Sequence, residues 1–192
     1  MDETADRIRA TNVFERPLSG SVMSNADPET DLVNAYIAGV FDAEHAVRCT
    51  VLKEKTNRAG YRIVPTIELR SKHQMVVNVV QNWMNDIGVF ATMERRGEAS
   101  PSYQLKLRSR DDVRTVLERI SPYLIVQDRD AEIMLEEIIP RLDDDRVLTE
   151  ERFIEIMEYV EQLSDTGANR TRKYDLAFFR EEFGIEAVSP DE

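Results

Sequence analysis

Two carboxylates separated by one residue, Asp42 and Glu44, close an apolar stretch that reads AYIAGVFDAEH from Ala35 to His45. At helical spacing Ala35, Ala38, Gly39 and Asp42 fall at i, i+3, i+4 and i+7, which predicts one helix face nearly bare of side chain. Val33, Tyr36, Ile37, Val40 and Phe41 fall opposite and are expected to anchor the helix in its own core. A mid-helix glycine costs about 1 kcal/mol relative to alanine, and close approach of another backbone offsets that cost. Acids at a helix C-terminus oppose the macrodipole, so something must hold Asp42 and Glu44 there. If two copies of the helix meet through their small residues, four carboxylates converge, and oxygen-ligated divalent cations relieve the repulsion. The plainer reading has Asp42 accepting from a local backbone amide and Glu44 in water.

A second set of residues could do different chemistry. Val47, Cys49 and Val51 alternate with Arg48, Thr50 and Leu52, and YRIVPTIELR alternates Ile63, Pro65, Ile67 and Leu69 with Arg62, Val64, Thr66, Glu68 and Arg70. Two further alternating runs span Val89 to Arg95 and Ser102 to Arg108. Both patterns predict strands with one covered face. The open face is expected to carry Arg48, Thr50, Arg62, Thr66, Arg70, Arg95, Gln104, Lys106 and Arg108, donors and acceptors suited to phosphates and base edges. From His45 to Arg110 there are twelve Lys or Arg against five acids, a local charge of +7, whereas the remainder of the chain carries -19 of the total -12. A polar sheet face is also what plain solvation requires, but this segregation by sign favours a polyanionic partner.

The elements that position these residues follow from the hydrophobic pattern. Asp27-Pro28 predicts a helix start, with Glu29 and Asp31 at the positive end of the dipole. The helix runs to about Asp42 and is followed by the first two strands, joined by a turn at Asn57 to Gly60, with Pro65 arguing against regular pairing. Met75, Val76, Val79, Val80, Trp83, Met84 and Ile87 form a second helical stripe ending at Gly88. After the second strand pair, three stripes of helix remain: Val113, Val116, Leu117 and Ile120; Ile133, Met134, Leu135, Ile138 and Ile139; and Phe153, Ile154, Met157, Val160 and Leu163. The expected architecture is α+β: an αββαββα unit with a four-stranded antiparallel sheet, helices on one face, and extra C-terminal helices. Residues 1–26 are expected to be a flexible tail, 27–184 the folded domain and 185–192 a C-terminal tail.

IAGVFDAEH, Ile37 to His45, resembles the nine-residue signature of the LAGLIDADG homing endonucleases, with the Ala-Gly centre and the Asp-x-acid end in register. NDIGV (Asn85 to Val89), SPYLI (Ser121 to Ile125) and NRTRKY (Asn169 to Tyr174) resemble further segments of that family in its order, so the likeness covers about Asp31 to Phe183. One signature copy is similar to the single-motif branch that works as a homodimer. The resemblance implies hydrolysis of both strands of a long, pseudo-palindromic double-stranded DNA target, with Mg²⁺ (Mn²⁺ as a plausible substitute) held where the two signature helices end. By correspondence Glu44 is the metal ligand, the Ala43 carbonyl a second donor, and Asp42 a helix cap. His45 stands where the signature has glycine. Lys72 and Gln127 stand where homodimeric members carry glutamine and lysine, which implies exchanged roles: Lys72 supplying charge near the reacting phosphate and Gln127 orienting water. Ordinary roles, Lys72 on a phosphate and Gln127 as a cap, remain equally open. Arg170, Arg172 and Lys173 are expected to grip the DNA backbone.

Composition bounds these readings. The 192 residues hold one cysteine, Cys49, and two histidines, which leaves neither a disulfide framework nor a Cys/His zinc site, so any metal is held by oxygen. No run is long and apolar enough to span a bilayer, and the N-terminal residues lack a signal-peptide pattern, so no membrane partner and a cytoplasmic location, at the nucleoid when bound to DNA, are expected. Only five of the 25 bases are lysine, a composition that suits a salt-loaded cytoplasm, where screening weakens repulsion between the acidic body and DNA. Two other classes compete: a non-cleaving DNA- or RNA-binding splicing cofactor or regulator on the same scaffold, and an unrelated dimeric α+β protein whose acidic pair is structural.

Overall fold

The computed structural model describes residues 28–44, 46–98, 100–144, 148–163 and 174–185. Helix α1 (Pro28–Glu44) leads into strands β1 (Val47–Lys53) and β2 (Tyr61–Ser71), then α2 (Gln74–Asp86), β3 (Thr92–Arg96) and β4 (Ser102–Leu107). Among the described residues that follow, the elements are helical: α3 (Arg110–Ile120), a 3-10 turn, α4 (Asp128–Glu132), a π-helical segment (Ile133–Ile138), α5 (Ile139–Asp144), α6 (Glu150–Gln162) and α7 (Leu176–Phe183). The four strands form one antiparallel sheet in the order β1-β2-β4-β3. This is the α+β architecture that the alternation and the helical stripes predict.

The helices cover one face. Val47, Ile63, Ile67, Leu69, Leu105 and Leu107 are buried there against Ile37 and Phe41 of α1, Val80 and Met84 of α2 and Val116 and Ile120 of α3. Continuous burial of this kind is the main favourable term holding the layers together, at about 25 cal/mol per Å² of apolar surface. Tyr61 at the far end of β2 joins Phe153, Phe178, Phe179 and Phe183, with ring centroids 4.9 to 6.5 Å apart, so α6 and α7 extend the same core. Edge-on ring packing adds specificity to this burial.

Three expectations need correction. Pro65 does not interrupt the ladder: β1 pairs with β2 without a break from Val47↔Ile67 to Lys53↔Tyr61, and Cys49 lies opposite Pro65. β4 joins β2 only from Ile67 onward, so Pro65 lies where β2 has one neighbour and its missing N–H breaks no second ladder. Met75 is exposed and Val77 buried, because the face of α2 toward the sheet is set by Val77, Val80, Trp83 and Met84. On α1, Val33 and Tyr36 are exposed and Ala38 is wholly buried, a rotation of the helix from the expected orientation. In this orientation Asn34 is buried and its Oδ1 accepts from Trp83 Nε1 at 3.1 Å, so that edge of α1 faces α2.

Candidate metal centre and nucleic-acid interface

Helix α1 is held along its length by the segment that follows α3. Tyr123 donates to Asp31 Oδ1 at 2.6 Å near the first turn, and this bond holds the phenol above its ordinary value. At the other end Asp42 accepts three backbone amides, Ile125 N–H at 2.9 Å, Val126 N–H at 3.1 Å and Gln127 N–H at 2.8 Å. A carboxylate is the natural partner for converging amides at the start of α4, since each bond is charge-assisted. Gln127 answers in the other direction. It is 1% exposed, and its Oε1 accepts from Ala46 N–H at 2.8 Å. The two side chains form a reciprocal clamp that fixes the turn from α1 into β1.

Glu44 is the last residue of α1, half-buried, with Ala43 exposed beside it. Both Asp42 oxygens are engaged by amides, and the other oxygen groups at this turn are the Glu44 carboxylate and the carbonyls of the last turn of α1, Ala43 among them. These are hard oxygen donors of the kind Mg²⁺ accepts. Among the described residues no three His, Cys, Asp or Glu side chains come together as a metal cluster. Lys72 is exposed just beyond β2, at the sheet end where α1 terminates. Gln127 is sequestered beneath that turn instead of being open to solvent.

The outer side of α1 is apolar and uncovered. Leu32 is 73% exposed and Tyr36 54%, with Ala35, Gly39 and Ala43 open beside them. A Cβ added at Gly39 would meet nothing within 4 Å. The patch continues past the helix end onto Ile125, 82% exposed, and Val126. Of the expected small-residue face, Ala35 and Gly39 lie on this surface, Asp42 lies in the clamp, and Ala38 belongs to the core.

The sheet face away from the helices carries Arg48 and Thr50 on β1, Arg62, Thr66, Glu68 and Arg70 on β2, and Gln104 and Lys106 on β4, as the register Arg48↔Thr66, Glu68↔Lys106 and Arg70↔Gln104 requires. Arg108 is exposed just past β4. Arg95 falls opposite Tyr103 and therefore on the other face, while Arg96, opposite Ser102, shares the open one. Arg95 has the parity of Val89, Ala91 and Met93, so plain alternation carries it to the covered face with them, and the expectation of an open-face Arg95 is corrected to Arg96. Arg170, Arg172 and Lys173 lie outside the described residues.

This face has a carboxylate at its centre that sequence reasoning discounted. Glu68 is 5% exposed, with Oε1 2.6 Å from Arg70 and 4.0 Å from Arg48, and Oε2 3.0 Å from Lys106 Nζ. Burial pushes its pKa up, but the Lys106 hydrogen bond and the charges of Lys106, Arg48 and Arg70 outweigh that and hold it below the ordinary value. The Thr66 hydroxyl, buried beside it, lies 3.0 Å from the Val64 carbonyl and 3.3 Å from Thr50 Oγ1. The signal for Glu68 was its even register with Arg62 and Arg70; only pairing with β4 shows that Lys106 meets it.

No family sequence model and no curated protein sequence matches the chain. Solved structures do. The chain is similar to the homing endonuclease I-CvuI, solved with the I-CreI target in 2 mM Mg with the DNA not cleaved, at 15% identity and a TM-score of 0.67, over 84% of this chain and 100% of that one. It is similar to the archaeal intron-encoded homing endonuclease I-Vdi141I complexed with DNA, at 17% identity and a TM-score of 0.65, over 79% of this chain and 94% of that one. The LAGLIDADG homing endonuclease I-LtrWI, bound to target DNA, matches at 19% identity and a TM-score of 0.63, over 85% of this chain but 52% of its own. The fold is that of the LAGLIDADG homing endonucleases, as the signature resemblance implies.

Proposed function

We propose that the protein is a site-specific double-stranded DNA endonuclease that acts as a symmetric homodimer on a long pseudo-palindromic target and uses Mg²⁺, with Mn²⁺ as a substitute. The observation that carries this is the exposed apolar side of α1, Leu32, Tyr36 and the open Gly39, running down to Glu44 at the edge of a sheet face rich in arginine. Two such helices apposed about a two-fold axis bury that side and bring two Glu44 carboxylates together. The match to about half of I-LtrWI's length is what a single copy of a two-unit arrangement would give. The solved proteins of this fold include complexes with DNA, two of them prepared with Mg or Ca, which supports a polyanionic ligand and a divalent cation.

Glu44 and the Ala43 carbonyl would hold the cation, which when bound would supply charge stabilisation at the phosphate and lower the pKa of water. Asp42 stays out of the reaction and, with Gln127, keeps the α1 end from moving as the duplex bends over it. Lys72 faces the backbone beside the scissile phosphate and offsets developing negative charge. Gln127 acts through the turn it clamps, where the resemblance alone had it orienting water. Arg48, Arg62, Arg70, Lys106 and Arg108 meet the duplex along the sheet, and Arg170, Arg172 and Lys173 add backbone contacts.

The test is cleavage of a duplex selected from a random pool, with Mg²⁺ and with chelator. Glu44→Gln is expected to lower the cleavage rate by about a thousandfold, equivalent to about 4 kcal/mol of lost charge stabilisation, while duplex binding stays within about twofold. Binding without cleavage by the parental protein would favour the cofactor or regulator reading, and failure to bind any duplex at low salt would end both.

A further inference from the structure

The ion cluster at the centre of the open sheet face goes beyond what charge attraction to DNA needs. A surface built only to hold phosphates would leave its bases free to release counterions, yet here three of them converge on one buried carboxylate. Next to the cluster, Gln104 is 2% exposed, sits between Arg70 and Glu94 in the register, and has neither amide atom hydrogen-bonded. Its burial closes the floor of the face, so the bases of the cluster and not this amide are what the face presents. The cluster also lies beside the α1 end, because Glu68 N–H donates to the Ala46 carbonyl at 2.8 Å, two residues past Glu44.

Resting on the DNA-binding reading above, we propose that Glu68 is a specificity-determining positioning residue: it holds Arg70 and Lys106 in fixed directions, with Arg48 at the edge of the cluster, as base readers for the base pairs of each half-site nearest the α1 ends. Arginine fixed by a carboxylate presents its fork to guanine O6 and N7 in the major groove, while Gln104, buried beneath these longer side chains, stays off the base edges. Glu68 cancels part of the cluster's charge at the same time. Phosphates of an arbitrary duplex therefore gain less from this face than its arginine count suggests, and the discrimination between target and random DNA widens.

The experiment compares the parental protein with Glu68→Gln by selection from a randomised duplex pool in Ca²⁺, and by titration of selected and unselected duplexes over a salt series. For Glu68→Gln we expect about tenfold tighter binding to unselected duplex, a salt slope steeper by one to two, and loss of base preference at one or two inner positions of each half-site, the outer positions being unchanged. Glu68→Asp keeps the charge, withdraws the carboxylate from Arg70 and Lys106, and serves as the folded comparison if Glu68→Gln does not fold; the same inner positions lose preference in it while the salt slope stays as in the parental protein. Equal loss of affinity for selected and unselected duplex, with every base preference retained, overturns the proposal and leaves the DNA-binding reading standing. A parental protein that enriches no sequence and binds no duplex overturns both.

Discussion

The outer side of α1 and the open face of the sheet meet at the turn from Glu44 to Val47, and they are built on opposite terms. The helix side is apolar and lacks cover, with Leu32, Tyr36 and Ile125 in solvent. The sheet face is ionic, and its central residues Thr66, Glu68 and Gln104 are buried beneath longer side chains. An apolar surface gains by meeting another apolar surface, whose chemistry need not be specific; the copy of itself is always available at matching geometry. An ionic surface gains only from a partner that replaces each ion pair it disturbs. Under the proposed function, one side would serve self-association and the other a charged ligand, with the candidate metal ligand on the line between them.

Tyr36→Asp attacks the helix side and has the largest expected effect. A charge buried at a pairing helix should weaken association by at least about 2 kcal/mol, read as a shift to protomer in sedimentation equilibrium, with cleavage falling in parallel and the protomer's unfolding midpoint unchanged. If the mass and the cutting rate both stay as they were, α1 is not the seam between copies. Asp42→Ala strikes the junction. Loss of three amide bonds should lower stability by about 2 kcal/mol in urea unfolding, discounted for the partial exposure of that turn. A change below about 0.5 kcal/mol would mean the clamp does not hold the turn. Gly39→Ala is the smallest change and the sharpest in sign. Since the added methyl meets nothing within one copy, dilute protomer should gain about 0.5 to 1 kcal/mol from helix propensity. At concentrations where copies pair, the same methyl should weaken association; an unchanged dissociation constant would move the contact elsewhere on the helix.

Much of this was legible in the order of residues. The alternations in β1, β2 and β4 and the stripes in α3 and α6 gave strands and helices at their observed places, because the side-chain periods of 2 and 3.6 are imposed by the backbone whatever packs against it. The D-x-E end of α1 was visible for the same reason, and its resemblance to a signature added an activity that spacing could not. The rotation of α1 was not visible: Val33, Tyr36 and Ala38 are all compatible with burial, and the observed orientation goes with Asn34 reaching Trp83, 49 residues away. Arg95 was legible by contrast: it follows the alternation of Val89, Ala91 and Met93 onto the covered face, and the expectation that it faces outward departed from that pattern.

The sequence by itself determined the elements, the segregation of charge and the presence of two acids at a helix end, since these depend on local periodicity and counting. The tertiary structure alone decided which acid is engaged and how. Asp42 is filled by amides from residues 125–127, Gln127 is closed over Ala46, and Glu68 is enclosed by side chains from β1 and β4. A carboxylate's role is set by the donors within about 3 Å of it, and in a folded chain those donors come from segments whose sequence distance carries no information about their distance in space.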